Sequence, residues 1–184
     1  RGENRVLVHF GLRRFATSRV LGLQALTAVA GVTNSEVTAG KLGFVVAPRI
    51  NAAGRIGDSA DALRLLLTDD AEEARVLAQQ LDAINRARQD EDKRTLAEAL
   101  DLLDQTFDPE RDFGVVLACE GWHPGVIGIV ASRIVERVHR PVVLIALDGD
   151  KGRGSARSIP GFDLYKALAA CSEHMGRFGG HKQA

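Results

Sequence analysis

The residues whose types and spacing could do chemistry lie in Gly152-Arg153-Gly154-Ser155-Ala156-Arg157-Ser158 and, further on, in Phe178-Gly179-Gly180-His181. Glycines let a backbone approach a ligand and expose its N–H groups. Hydroxyls donate hydrogen bonds, and arginine offers a planar fork that fits phosphate oxygens. If Gly154 lies in a strand, alternation puts Arg153, Ser155 and Arg157 on one face. Ser155 and Arg157 could then grip one phosphate, with the Gly154 backbone close by. The alternative is an ordinary hairpin with a polar outer face. His181 follows two flexible glycines, and an imidazole there could donate to a phosphate or act as acid and base near neutral pH. The alternative is a structural or merely exposed histidine.

Two further segments carry candidates. Gly121-Trp122-His123-Pro124-Gly125 precedes a helical pattern, and the free N–H groups of a helix start attract anions. Trp122 could stack on a base and His123 could reach a phosphate; the competing reading is a hydrophobic staple at a helix entry. Asn51-Ala52-Ala53-Gly54-Arg55 offers an amide, Asn51, and a guanidinium, Arg55, for phosphate contact; a structural arginine–carboxylate pair is the alternative. No metal ligands are assigned. The five histidines are scattered. Asp148-Gly149-Asp150 reads as a hairpin turn, and no phosphate loop, dinucleotide fingerprint or nucleophile elbow occurs. Phosphodiester hydrolysis by two metals needs several converging carboxylates or histidines. The residues therefore point to the substrate-gripping part of a phosphodiester enzyme, separate from its metal centre.

Composition sets the frame. The 184 residues suffice for one ordinary domain or two small ones, and 45% hydrophobic content can build a core. Net charge is zero, which argues against a general polyanion binder. The charge is uneven, however: +5 over residues 1–68, −8 over 69–110, −1 over 111–150 and +4 over 151–184. Nineteen of the 24 basic residues are Arg, which suits phosphate recognition as well as a GC-rich genome. Cys119 and Cys171 lack metal-ligand spacing and read as reduced core thiols of a cytoplasmic protein. No membrane-length apolar run or signal-peptide layout is present. The opening Arg1-Gly2-Glu3 reads as cut from something longer.

The elements that must position these residues follow from pattern. Residues 4–30 read as helical with a break near Arg19-Val20, closed by Gly31. Thr33-Asn34-Ser35 offers a cap for a short helix through Ala39. Leu42–Val46 reads as a strand or extended run, and Pro48–Arg55 as a loop or tight turn. Asp58 or Ser59 caps a helix through Leu67. Asp69 to about Phe107 is free of Gly and Pro and rich in helix formers. Its apolar stripe is strong at both ends, while Asn85–Thr95 is almost wholly polar. That pattern predicts a strut with a solvated middle between two domains. Beyond Pro109 come a strand at 114–118, a helix at 124–138, and a strand at 141–147 paired as a hairpin with one at 154–159. A helix capped by Asp163 and reaching about His174 completes the series. This order predicts a small α/β domain with a mixed sheet.

Trp122-His123-Pro124-Gly125-Val126-Ile127-Gly128-Ile129-Val130-Ala131-Ser132-Arg133, Gly154-Ser155-Ala156-Arg157-Ser158 and Phe178-Gly179-Gly180-His181 together resemble the DHHA1 domain of the RecJ family, within the DHH phosphoesterase superfamily. Pro48–Arg55 and the opening Gly2-Glu3-Asn4-Arg5 resemble that family's segments upstream of DHHA1. The resemblance implies an α/β fold divided as 1–68, the C-terminal part of a DHH domain; 69–108, a linking helix; and 109–184, DHHA1. It implies a 5′→3′ exonuclease of DNA repair and recombination, acting on single-stranded DNA by two-metal hydrolysis with Mn²⁺ or Mg²⁺. The metal ligands would lie outside this chain, leaving it inactive alone. The resemblance assigns Ser155 and Arg157 to a terminal 5′ phosphate, His181 to the scissile phosphate and Arg55 to a further phosphate. It also implies helicase or single-strand-binding proteins as partners. Two other readings stay open: a hydrolase of short oligonucleotides or small phosphodiesters, and a non-catalytic nucleic-acid-binding homologue.

Overall fold

The computed structural model describes residues 2–33 and 37–184. Its elements are α1 (Glu3–Ala16), α2 (Leu21–Val29), α3 (Ala39–Lys41), a π-helical turn (Leu42–Val46), α4 (Ala47–Ile56), α5 (Ser59–Leu67), α6 (Ala71–Thr106), β1 (Val115–Glu120), α7 (Pro124–Val138), β2 (Val142–Asp148), β3 (Lys151–Arg157), α8 (Leu164–Ala170) and a 3₁₀ turn (Ser172–His174). Contacts divide the chain into two compact units, Arg1–Gln89 and Asp90–Ala184.

In the first unit, Leu26, Val46, Ala53, Ala62, Leu65, Ala74, Leu77, Ala78 and Leu81 form a buried cluster. Contact between α2 and α5 is so close that a Cβ on Gly22 would lie 1.7 Å from the Leu65 carbonyl oxygen. The Asp58 side chain accepts from the Ala60 N–H and starts α5 as expected. Three expectations change here. The cap expected at Thr33-Asn34-Ser35 falls partly outside the described residues, which do not include Asn34 and Ser35. Thr38 instead caps α3, its hydroxyl accepting from the Lys41 N–H at 3.1 Å. Leu42–Val46 is not extended but a π-helical turn, and Pro48–Arg55 is not a loop but part of α4. Pro48 falls in the first turn of α4, directly after the π-helical turn that runs into it without a break.

The polar middle of α6, expected to be solvated, is so only on one side: Arg86, Ala87, Gln89, Asp90, Lys93 and Arg94 are exposed, but Asn85, Asp92 and Thr95, with Asp82 just before them, are buried and continue the inward stripe. Each buried carboxylate meets an arginine within its own unit. Asp82 accepts from Arg49 at 2.8 Å, and Asp92 forms an ion pair with Arg133 at 2.9 Å. Arg49 also donates to the Val45 carbonyl, tying the π-helical turn to α6 through one guanidinium.

In the second unit the sheet order is β1-β2-β3, with β1 and β2 parallel and β2 and β3 antiparallel. This is the mixed sheet expected. Helix α7 makes the crossover and packs on β2 and β3. Its Val126, Ile127, Val130, Ala131 and Ile134 are buried, as are Val142, Leu144 and Ala146 of β2. The helix capped by Asp163 ends at Ala170, earlier than expected. Cys171 is exposed and Cys119 half-buried, so neither is a core thiol. Among the described residues no helix is long and apolar enough to cross a membrane.

Candidate phosphate-binding site

Strand β3 is the centre of the site. Register pairs Arg153 with Ala146, Ser155 with Leu144, and Arg157 with Val142. Paired residues share a face. Arg153, Ser155 and Arg157 therefore stand beside the buried β2 side chains, on the face that α7 covers. Ser155 and Arg157 are half-buried there. One Arg157 nitrogen, Nη1, lies 3.4 Å from Ser155 Oγ and donates to the Ala156 carbonyl at 2.6 Å. Gly154 is exposed and pairs with Ile145. Hydroxyl and guanidinium sit together as a ready pair of donors for an oxyanion.

The chain's last residues are stitched to the end of this strand. The Ser158 N–H donates to the Gln183 carbonyl at 3.0 Å, and the Leu164 N–H to the Lys182 carbonyl at 2.9 Å. The His181 N–H donates to the Ala184 carbonyl at 2.5 Å, closing a tight turn. Phe178 packs on Tyr165 of α8, ring centroids 5.6 Å apart. The His181 imidazole is exposed on a turn fixed just beyond Arg157.

At the start of α7, His123 is the N-cap. Its Nδ1 accepts from the Gly125 N–H at 3.0 Å, leaving Nε2 as the atom to meet a ligand. Trp122 is only 3% exposed, and its indole N–H donates to Glu98 Oε2 at 2.8 Å. An indole held this way has no face on which a base could stack, which corrects the base-stacking role expected for it. It anchors the α7 entry against α6.

In the first unit, α4 places Asn51 and Arg55 one turn apart on an exposed face. They line an open groove with Ile50, Gly54, Ser59 and Leu66. Arg49, in the same helix, is committed to Asp82. Among the described residues no group of three or more His, Cys, Asp or Glu stands close enough to hold a metal ion.

Sequence reasoning passed over Gly128 of α7. A Cβ there would lie 2.8 Å from Ser155 Oγ and 3.0 Å from Arg157 Nη2. Its signal was available: a glycine within a run of residues that otherwise favours a helix.

Residues 112–184 match the model of the DHHA1 domain. The whole chain is similar to the single-stranded-DNA-specific exonuclease RecJ of Bacillus subtilis, 39% identical over 99% of this chain and 23% of that protein. The RecJ of Thermus thermophilus is 46% identical over 100% of this chain and 26% of that one. The chain thus spans about a quarter of the length of these curated relatives. A crystal structure of Thermus thermophilus RecJ in complex with Mg²⁺ superposes with a TM-score of 0.86. It is 42% identical, and the match covers 99% of this chain and 28% of that one. The same protein has been solved with Mn²⁺.

Proposed function

We propose that this chain, whose residues 112–184 form a DHHA1 domain, is the segment of a single-stranded-DNA-specific exonuclease that grips the 5′ end of the strand. The observation that carries the reading is the pairing of Ser155 and Arg157 on one face of β3. A terminal phosphate has more charge and one more free oxygen than an internal phosphodiester. A hydroxyl beside a guanidinium therefore rewards a terminal phosphate more strongly. The fixed turn beyond Arg157 brings His181 to the same end of the strand, where its imidazole would donate to the scissile phosphate. Asn51 and Arg55 on α4 would hold further backbone phosphates, and His123 Nε2 another.

Mg²⁺ or Mn²⁺ accompanies the solved relatives and would supply the water-activating chemistry of the whole protein. In this reading the chain's own part is to bind and orient the strand. The protein would act in the cytoplasm in DNA repair and recombination, alongside helicase and single-strand-binding proteins.

Fluorescence anisotropy tests the reading. The chain should bind a short 5′-phosphorylated single-stranded oligonucleotide more tightly than its 5′-hydroxyl twin at fixed moderate salt. Arg157→Ala and Ser155→Ala should each erode that preference. Equal affinity for both ends in the unmodified chain would overturn it.

A further inference from the structure

The geometry points to Gly128 as a positioning residue that sets the preference for a terminal phosphate, an inference that rests on the phosphate reading of Ser155 and Arg157. Gly128 lies inside α7, a 15-residue helix, and is buried. A glycine there weakens a helix by roughly 1 kcal/mol relative to alanine. Its backbone is not in the left-handed region, so no turn requires it. Space does. The three atoms nearest a Cβ at this position are Ser155 Oγ at 2.8 Å, Arg157 Nη2 at 3.0 Å and Ser155 Cβ at 3.6 Å. All belong to the two side chains that would hold the phosphate.

The helix is therefore bare at the point where the hydroxyl and the guanidinium sit side by side. That lets Ser155 and Arg157 stand on the covered face of the sheet without being pushed apart. A methyl group at 128 would enter the space of both donors. Neither obstacle is backbone: one is a hydroxyl and the other the far end of a flexible side chain. The cheapest response is for the Arg157 guanidinium to swing away and for Ser155 to change rotamer. Fold would survive and helix propensity would rise, but the paired donors would be lost. Gly128 acts through those two side chains and touches no ligand itself.

The test is Gly128→Ala in the full chain, read by anisotropy with 5′-phosphorylated and 5′-hydroxyl oligonucleotides, with Glu136→Ala on the exposed face of α7 as control. The ratio of the two affinities should fall by about tenfold or more, the worth of a charge-assisted hydrogen bond. Affinity for the 5′-hydroxyl strand and the melting temperature should hold. Added to the double variant Ser155→Ala/Arg157→Ala, Gly128→Ala should cost nothing further, because both of its targets are gone. If the unmodified chain prefers the phosphate, Arg157→Ala abolishes the preference and Gly128→Ala keeps it, this inference fails while the phosphate reading stands. If Arg157→Ala keeps the preference, or the unmodified chain has none, the phosphate reading fails and takes this inference with it. A Gly128→Ala chain that does not fold, or a further loss of affinity when it is added to Ser155→Ala/Arg157→Ala, would also overturn it.

Discussion

Removing the Asp82 carboxylate should destabilise residues 1–89 by about 3 kcal/mol. The Asp82 side chain is 6% exposed and its partner Arg49 is 14% exposed, with the Nε–Oδ1 distance at 2.8 Å. Asp82→Ala leaves a guanidinium out of water with no counter-charge, and breaking one half of a buried pair costs ~3–5 kcal/mol. Arg49 keeps its bond to the Val45 carbonyl, which sets the expectation at the low end. Arg86, the second cation on Asp82, is 75% exposed and returns to water at little cost. A loss of ~3 kcal/mol in a unit of this size corresponds to roughly 12–24 °C in melting temperature. Urea unfolding followed by far-UV circular dichroism would measure it. The single tryptophan, Trp122, reports separately on residues 90–184. Combining Asp82→Leu with Arg49→Met should bring stability back to within ~1 kcal/mol, because no charge is then stranded. A loss below ~1 kcal/mol for Asp82→Ala, or a double variant no better than the single, would refute the reasoning.

Trp122→Phe removes the hydrogen bond to Glu98 and should lower stability by ~1 kcal/mol in thermal melts. Gly22→Ala should destabilise by ~1–3 kcal/mol or more in the same melts, because the obstacle is the Leu65 backbone carbonyl and cannot turn aside. The Thr68 hydroxyl and then the Arg64 guanidinium hold the Glu73 carboxyl below the ordinary glutamate range. A lowered folded pKa contributes stability that is present above the unfolded value and lost as pH falls through the folded one. Carboxyl NMR should thus place the Glu73 midpoint below that of a free glutamate, and Thr68→Val should move it up.

Where local chemistry decides structure, the sequence could be read. Pro124 and the pattern to Val138 gave α7; Asp148-Gly149-Asp150 gave the hairpin that sets Ser155 and Arg157 on one face; Asp58 and Asp163 gave their helix starts. Leu42–Arg55 could not be read so well. An apolar run before a proline looks like a strand ending in a turn, yet Pro48 occupies a first turn and α4 continues through it. The buried carboxylates of α6 looked solvated because their arginine partners lie far off in sequence. Asp82 to Arg49 spans 33 residues, and Asp92 meets Arg133 across a similar distance. The buried positions did keep the helical period, so the stripe itself was visible while its burial was not. Trp122 and Gly128 share that limit: each depends on a contact with an element distant in the chain, Glu98 for one and β3 for the other.

The hydrogen bonds that fasten the turn carrying His181 to the strand and to α8 are made by main chain. Lys182 and Gln183 contribute carbonyls, and Ser158 and Leu164 contribute amides. None of the four bonding atoms belongs to a side chain, so natural variation at 182 and 183 can wander without moving the imidazole. The vulnerability lies elsewhere. Proline at 158 or 164 would delete an amide and unfasten the turn, although neither position bears a group assigned to chemistry. A saturation scan should accordingly find 182 and 183 permissive and 158 closed to proline in particular, while 164, whose leucine is buried, rejects polar residues as well as proline, a signature of a site addressed through its backbone.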